Sequence, residues 1–366
     1  MKKKNILIIS MTAGFGHVRA GQALFDYAVK NLPNVTIEHI DVVDIDDSLK
    51  NYGKAYDMIS RKFSFIWNGM YKYVPVFIAK KTMVFMGSFN KKLKNYIFEK
   101  KPDVIIFTNV MTLTMLTIDF HKEFPGIKTA MVVTDYHGHP YYHFSYIDYY
   151  FVATQEVKKD LEMMGVESQK IKITGIPIHP KFYIKENVNN LKAKYGIKNN
   201  FPVALLIASF KISKKDLLLV VTQLLNLNPD INVIFIANRN QVFYDMIKNA
   251  FPGNSRLKVV DWTLAMEEYM KMSDVVISKA GGLTVSECMS LQKPLIMVSP
   301  IPGQEEYNAD FVEKNDLGVK VNSAREIINV LPDLIARSRV RSMSFISPDN
   351  PCQKIFQYLT YRHHIR

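Results

Sequence analysis

Two adjacent glycines, Gly281 and Gly282, stand between an apolar run and a helix predicted over residues 284–291. Glycine lets the backbone approach a ligand closely because it has no side chain. The first turn of a helix offers unpaired N–H groups and the positive end of the helix dipole, and both favour an anion. The stretch therefore indicates a phosphate site that includes Gly281, Gly282 and Thr284, although such a turn is also an ordinary helix cap.

Three carboxylate or amide side chains lie close to this turn in the sequence. Glu287 is one turn into the predicted helix, where a carboxylate can accept hydrogen bonds from both hydroxyls of a ribose. Gln304 and Glu305 follow a second apolar run, residues 295–298, and carry groups that suit sugar hydroxyls. In an open parallel sheet, these strand ends and the helix start lie at the rim where ligands bind.

A second candidate site lies near the start of the chain, where a predicted strand at residues 5–10 opens into a glycine loop. Gly14 and Gly16 precede His17, and a helix is predicted over residues 18–30. His17 at this position can act as a general base or contact a phosphate. It can also be an exposed histidine in a tight turn.

A polar loop with one aspartate and three histidines follows the strand predicted at residues 128–133. Asp135 in this loop is an alternative base, or a partner that orients His17. Several histidines near one aspartate can also hold a metal, as can Asp44 and Asp46 after the second strand. A solvated loop is the preferred interpretation of Asp44 and Asp46, and no metal site is assigned.

Short apolar runs alternate with helical patterns along most of the 366 residues. This alternation predicts an α/β fold with a mostly parallel sheet in each half. Two prolines, Pro177 and Pro180, and a polar run at 185–200 mark a boundary between the halves. We predict an N-terminal domain of residues 1–180 with an insertion at 54–101, a linker at 181–200, a C-terminal domain at 201–345, and a final helix within 346–366.

The formal net charge is +13, which favours an anionic partner. Between Lys54 and Lys101 there are eleven basic residues and only two acidic ones, interleaved with aromatic residues. Such a segment suits an anionic membrane surface, and the alternative is amphipathic helices packed on the sheet. Single-stranded nucleic acid also fits, but no nucleic-acid-binding module surrounds the segment. The proposed membrane contacts are Trp67, Lys80, Lys81, Lys91 and Lys92.

The chain has two cysteines, which suggest neither a disulfide framework nor a metal site. No run of about twenty apolar residues is free of charge, so no spanning helix is expected. The start, MKKKNILIIS, is interpreted as a first buried strand rather than a signal peptide. A reducing cytoplasm, with peripheral binding to the inner face of the cell membrane, is the predicted location.

Four sequence runs together resemble a known family: TDYHGHPYY, KITGIPIHPKF, SKAGGLTVSE and PGQEEYNA. They are similar to diacylglycerol glycosyltransferases of the monogalactosyl and processive glucosyl type. These enzymes resemble the N-acetylglucosaminyltransferase of peptidoglycan synthesis. The resemblance extends from the first strand to about Val321 and implies two facing Rossmann-like domains, the GT-B glycosyltransferase architecture. In that architecture the last helix often crosses back to the first domain.

The resemblance also implies roles for individual residues. The glycine loop that ends at His17 matches a family loop that ends in Gly-His, and Asp135 and His139 match a second motif, with Tyr142 where the family usually has tryptophan. The implied acceptor side of the site is therefore Gly14, Gly16, His139 and Tyr142, with His17 or Asp135 as the base. The implied donor side is Lys211, Arg239, Asn240, Trp262, Gly281, Gly282, Thr284, Glu287, Gln304 and Glu305.

The resemblance implies an inverting transferase that moves a hexose from a UDP-sugar to diacylglycerol, with no cofactor or metal. Two alternatives remain open. One is a UDP-N-acetylglucosamine transferase that acts on an undecaprenyl-linked precursor. The other is a binding protein that has lost transfer activity, since the loop Ser209–Ser213 lacks the glycines that the family places near the donor diphosphate. Lys211 or Lys214 can substitute a positive charge for those glycines.

Overall fold

A computed structural model of the chain describes residues 3–12, 15–49, 91–116, 119–198, 200–227, 230–340 and 350–360. The chain divides into two compact units. Unit 1 consists of Met1–Pro180, Ile301–Gln304 and Ser347–Arg366, and unit 2 consists of Lys181–Pro300 and Glu305–Ile346.

Each unit contains one six-stranded parallel sheet. The sheet of unit 1 has the order β2-β1-β3-β4-β5-β6, with strands β1 (Lys4–Ser10), β2 (Val35–Asp41), β3 (Val104–Phe107), β4 (Lys128–Val132), β5 (Tyr149–Val152) and β6 (Ile171–Ile173). The sheet of unit 2 has the order β12-β11-β10-β7-β8-β9, with strands β7 (Val203–Ile207), β8 (Asn232–Ile236), β9 (Leu257–Val260), β10 (Val275–Ser278), β11 (Leu295–Val298) and β12 (Gly318–Val321).

Helices connect the strands in the described part of the chain. They are α1 (Phe15–Asn31), α2 (Val42–Ile45), α3 (Lys91–Lys100), α4 (Val110–Thr114), α5 (Phe120–Glu123), α6 (Gln155–Met163), α7 (Val188–Tyr195), α8 (Lys214–Leu225), α9 (Gln241–Ala250), α10 (Met266–Met272), α11 (Gly282–Ser290), α12 (Gln304–Lys314), α13 (Ile327–Val340) and α14 (Pro351–Thr360).

Both faces of the unit 1 sheet are covered, because successive residues of a strand point to opposite faces. Along β1, Ile6 and Ile8 belong to a core that also contains residues of α1 and α14. Leu7 and Ile9 belong to a second core that contains residues of α3 and α6. Continuous apolar strands such as β1 are therefore buried on both sides, as expected of a parallel sheet between two helical layers.

The order of the strands reverses once in each sheet. In unit 1 the chain passes from β1 outward to β2 and then returns to β3 on the other side of β1; in unit 2 the corresponding pair is β7 and β10. Loops at the carboxyl ends of such a pair diverge and leave a crevice for a ligand. The predicted α/β fold with two Rossmann-like domains is confirmed.

Two helices begin earlier than the sequence pattern predicted. Helix α1 starts at Phe15, so His17 lies in its first turn and not in the loop before it. Helix α11 starts at Gly282, which is therefore a helical residue. Helix starts are hard to predict because the first turn depends on local backbone conformation rather than on apolar spacing.

Two further helices lie near the boundaries of the units. The stretch predicted as a linker contains helix α7, which begins after Asn187 and ends at Gly196 in a left-handed conformation. Helix α14 packs on unit 1, where Cys352, Ile355 and Phe356 join the core around Ile6 and Ile8.

Candidate functional site

His17 lies at the crevice of unit 1, where β1 and β3 diverge. Its Nδ1 atom is 2.9 Å from the backbone oxygen of Thr108, just after β3, and 2.9 Å from Oγ1 of Thr134, just after β4. Gly16 precedes it in the first turn of α1. Gly14 lies outside the described residues. The topology thus brings the predicted base to the carboxyl edge of the sheet.

Asp135 is a buried carboxylate next to Thr134. Its Oδ2 atom accepts hydrogen bonds from the Tyr142 hydroxyl at 3.2 Å and from Nε2 of Gln304 at 2.6 Å. Gln304 belongs to the short segment Ile301–Gln304 of unit 1. These two bonds orient the carboxylate and connect three residues that the sequence had placed in different parts of the site.

Two histidines beside Asp135 have defined structural partners. Nδ1 of His139 accepts from the backbone N–H of Tyr141 at 3.3 Å and caps the short 3₁₀ turn Pro140–Tyr142. His137 lies 3.2 Å from a carboxylate oxygen of Asp160. Burial lowers the pKa of His137, although the carboxylates of Asp160 and Asp135 act in the opposite direction.

Only part of the predicted membrane segment can be placed. Trp67, Lys80 and Lys81 lie outside the described residues. Lys91 and Lys92 form the exposed start of α3, and Nζ of Lys92 is 3.0 Å from Asp46. Within the described ranges, no helix has the length and apolar character to cross a bilayer, and no group of three His, Cys, Asp or Glu residues can hold a metal.

The crevice of unit 2 contains the start of helix α11. Gly281 occupies the N-cap position with extended backbone, and no side chain caps the helix. The carboxylate of Glu287 is in the second turn and only 2% of the residue is exposed. Gly281, Gly282 and Thr284 therefore combine the features that an anion site at a helix start requires. Burial raises the pKa of the neighbouring Cys288 thiol well above its ordinary value, which makes it unreactive.

The glycine-free loop after β7 is tied to this helix start. Oγ of Ser209 lies 2.8 Å from Oγ of Ser278, and it accepts a hydrogen bond from the backbone N–H of Lys279 at 3.2 Å. Lys211, two residues further, is exposed. A serine side chain thus holds together the two diverging strands at a point where the family is expected to have glycine.

Lys279 is a charged residue of this crevice that the sequence analysis did not select. Its Nζ atom is 3.0 Å from Oε1 of Glu305, which is buried in the first turn of α12. Asn308 of the same helix donates to the backbone oxygen of Ala280 at 3.0 Å. The sequence feature that could have identified Lys279 is its position between a strand end and the glycine turn.

Arg239, Asn240 and Trp262 lie at the rim formed by β8 and β9. The guanidinium carbon of Arg239 is 4.4 Å from the centre of the Trp262 ring, which is 41% exposed. The backbone N–H of Arg239 donates to the backbone oxygen of Asp261 at 3.3 Å. Asn240 accepts from the backbone N–H of Phe243 and caps α9, so its side-chain oxygen has a structural role.

Each unit thus has a crevice at the carboxyl edge of a parallel sheet, one with a histidine and one with a helix start that no side chain caps, and two such Rossmann-like units make up the GT-B architecture. Residues 17–178 match the model of the monogalactosyldiacylglycerol (MGDG) synthase family, and residues 213–348 match the glycosyltransferase family 28 C-terminal domain. The predicted resemblance to diacylglycerol glycosyltransferases is confirmed, and so is the prediction of a glycosyltransferase.

Two relatives carry the same name. The chain is 27% identical over 343 residues to the processive diacylglycerol beta-glucosyltransferase of Bacillus subtilis. This alignment covers 91% of this chain and 87% of the relative. It is 29% identical over 341 residues to the protein of that name from Staphylococcus epidermidis. That alignment covers 91% of this chain and 85% of the relative.

Two solved structures illustrate the likeness in fold. UDP-GlcNAc 2-epimerase from Neisseria meningitidis, bound to UDP-GlcNAc, has a TM-score of 0.60 at 14% identity and covers 97% of this chain and 99% of its own. MurG of Acinetobacter baumannii has a TM-score of 0.56 at 13% identity and covers 98% of this chain and 100% of its own. This likeness concerns the fold alone.

Gln304→Ala and Glu305→Ala should each lower sugar transfer at least tenfold while the Kd for UDP stays within about threefold, since these groups are predicted to contact the transferred sugar. Steady-state transfer rates and calorimetry with UDP measure the two effects. Asp310→Ala is the matched control, because it removes an exposed carboxylate of the same helix. Equal losses of transfer and of UDP affinity would show that the two residues contact the nucleotide instead.

Proposed function

We propose that this chain transfers a hexose from a UDP-sugar to diacylglycerol, with inversion at the anomeric carbon, at the cytoplasmic surface of the cell membrane. The observation that carries the proposal is the match of residues 17–178 to the MGDG synthase model, because the first domain is the predicted acceptor side. The names of the two relatives support the same acceptor.

Unit 2 supplies the groups that a UDP-sugar needs. The N–H groups at the start of α11 have no side-chain cap and can donate to an anion, and Lys279 adds a positive charge beside Gly281. Glu287, in the second turn of the same helix, is assigned to the ribose hydroxyls. Arg239 and Trp262 offer a planar surface for the base. Gln304 and Glu305 are assigned to the hexose.

The reaction is a single displacement. The acceptor hydroxyl oxygen attacks the anomeric carbon, the bond from that carbon to the diphosphate oxygen breaks, and UDP leaves with the electron pair. The hydroxyl proton passes to His17. The start of α11 stabilises the charge that develops on the leaving diphosphate, which is the role of fixed dipoles in catalysis. This electrostatic role requires no metal, and we propose that none is needed.

A lipid assay tests this function. The full chain is mixed with vesicles that contain diacylglycerol and phosphatidylglycerol, and with labelled UDP-glucose, UDP-galactose or UDP-N-acetylglucosamine, with and without EDTA. We expect a hexosyl diacylglycerol on thin-layer plates, formed equally in EDTA, and a β-anomeric product by NMR. Transfer only to an undecaprenyl-linked acceptor would support the peptidoglycan alternative. UDP binding without any transfer would indicate a binding protein.

Replacing Lys80, Lys81, Lys91 and Lys92 with Gln should reduce vesicle binding and lipid glycosylation together. Each basic residue near an anionic surface contributes about 1 kcal/mol, and salt screens this attraction beyond about 10 Å at 0.1 M. Flotation with vesicles of increasing phosphatidylglycerol content, at low and high salt, measures the effect. The Kd for UDP should not change.

A matched variant separates local charge from net charge. Lys30, Lys159, Lys198 and Lys314 are exposed, and their replacement by Gln changes the net charge by the same amount. This control variant should bind vesicles like the wild type. If both quadruple variants lose binding equally, or if RNA or DNA competes with vesicles, the assignment of this surface to a membrane is wrong.

A further inference from the structure

We propose that Thr134 is a positioning residue for His17, and that its hydroxyl oxygen and the backbone oxygen of Thr108 together hold the Nδ1–H group of the imidazole. The inference rests on the proposed function, because it assumes that His17 is the base. It goes beyond that function by assigning the tautomer and the residues that set it.

The tautomer follows from the atoms around Nδ1. The backbone oxygen of Thr108, 2.9 Å away, has no hydrogen and can only accept. An unprotonated Nδ1 would place two lone pairs against each other, so Nδ1 carries the hydrogen. Thr134 Oγ1, also at 2.9 Å, is then a second acceptor of the same N–H group. Nε2 is left as the ring nitrogen that can take a proton.

This arrangement also favours the protonated state that follows transfer of the acceptor proton. When Nε2 takes a proton, the positive charge spreads over the ring and strengthens the hydrogen bonds from Nδ1–H. In many enzymes a carboxylate performs this role for a catalytic histidine. Here two neutral oxygens, one from Thr108 and one from Thr134, contact the same nitrogen.

Thr108 is itself held by a chain of hydrogen bonds through its side chain and its backbone N–H. Oγ1 of Thr108 lies 2.8 Å from Oγ of Ser10, and that oxygen lies 2.8 Å from Nε2 of His39. The backbone N–H of Thr108 donates to the backbone oxygen of Ile9 at 3.2 Å. Ser10 and Thr108 are completely buried, so neither hydroxyl exchanges its partner for water.

The donor and the acceptor in each hydrogen bond of this chain follow from the contacts of Gln22 and His39. Nε2 of Gln22 donates to Asp26 at 2.8 Å, which turns the amide oxygen of Gln22 toward Nδ1 of His39 at 3.4 Å. Nδ1 of His39 therefore carries the hydrogen, and its Nε2 accepts from Ser10. The Ser10 oxygen in turn accepts from Thr108. Burial lowers the pKa of His39, and the opposing effect of nearby carboxylates is smaller, which is consistent with a neutral ring.

Gly21 allows helix α1 to lie against this chain. A Cβ atom at position 21 would be 2.4 Å from Nε2 of His39 and 2.6 Å from Oγ of Ser10. Because α1 also carries His17 one turn earlier, the close approach at Gly21 determines where the imidazole meets Thr108 and Thr134. The positioning network is therefore Ser10, His39, Thr108 and Thr134, with Gly21 as the contact point.

The test combines kinetics with spectroscopy. Thr134→Val keeps the shape of the side chain and removes the oxygen, whereas Thr134→Ser retains it. We expect Thr134→Val to lower kcat about tenfold or more with both KM values within about threefold, and Thr134→Ser to restore most of kcat. Thr114→Val is the control, since the Thr114 hydroxyl donates to the backbone oxygen of Met111 in α4.

The spectroscopic arm does not require transferase activity. In protein labelled with ¹⁵N-histidine, with the signals of residue 17 assigned by His17→Gln, the wild type should show the Nδ1–H tautomer. Its Nδ1 proton should exchange slowly with water, and in Thr134→Val it should exchange faster. An Nε2–H tautomer in the wild type, identical His17 signals in both proteins, or equal impairment of the Val and Ser variants would overturn the inference, whether or not glycolipid is formed.

Discussion

His17→Ala should lower the turnover of glycolipid synthesis by about 100-fold or more, the range expected when a general base is removed. The imidazole is held at the crevice between β1 and β3, and its removal leaves the acceptor hydroxyl without the group that takes its proton. The Kd for UDP should change little, because unit 2 carries the predicted nucleotide contacts. Initial rates with saturating UDP-sugar and calorimetry with UDP measure the two quantities.

His121→Ala provides the matched control for this loss. It removes an exposed imidazole of unit 1 whose Nε2 atom lies 3.6 Å from a carboxylate oxygen of Asp148. This variant should retain normal turnover. If His17→Ala transfers sugar at nearly the normal rate, then Asp135 becomes the candidate base, and Asp135→Asn should abolish transfer.

Glu287→Ala should weaken UDP binding about tenfold to a hundredfold, since a lost hydrogen bond to a charged group costs about 1.5–3 kcal/mol. The residue lies in the second turn of α11, and the start of that helix is the predicted phosphate site. Turnover at saturating donor should fall less than affinity. Calorimetry measures the affinity for UDP and for uridine, which lacks the diphosphate. A similar loss for both ligands would locate the lost interaction at the ribose.

Because Glu287 is buried, the experiment needs a variant that preserves packing. Glu287→Gln keeps the volume of the side chain and removes its charge, and it should also weaken binding while the thermal midpoint stays near that of the wild type. UDP affinity unchanged in both variants would remove Glu287 from the donor site. A loss of affinity that accompanies a large fall in the thermal midpoint would show a structural role instead.

The electrostatics of the donor crevice depend on more than the helix start. Lys279 adds a positive charge next to the uncapped N–H groups, and the buried Glu305 lies against its Nζ atom. The phosphates of a UDP-sugar are negatively charged and can pair with Lys279. Its sugar hydroxyls can donate hydrogen bonds to Glu305. The sequence analysis selected Glu305 but not Lys279, because the one indication for Lys279 was its position between a strand end and the glycine turn.

Apolar periodicity was sufficient to predict the α/β class with mostly parallel strands, and the resemblance to the glycosyltransferases implied the two Rossmann-like domains. Runs such as Ile6–Ile9 are apolar on both faces and short, and they are followed by helical spacing, which indicates parallel strands between helices. Glycines and polar groups placed directly after such runs indicated the edge where a ligand binds. Gly281, Gly282 and Glu287 were predicted in this way, and their mutual placement at the N-cap and within α11 depends only on neighbours in the chain.

The sequence by itself therefore determined the fold class, the two sheets and the local composition of each site. Only the tertiary structure decided which distant residues meet: Thr108 and Thr134 are 91 and 117 positions from His17, and Glu305 is 26 positions from Lys279. These contacts depend on strand order and on the approach of a helix to the sheet. Apolar periodicity records which face of an element is buried, but it carries no information about which element lies opposite.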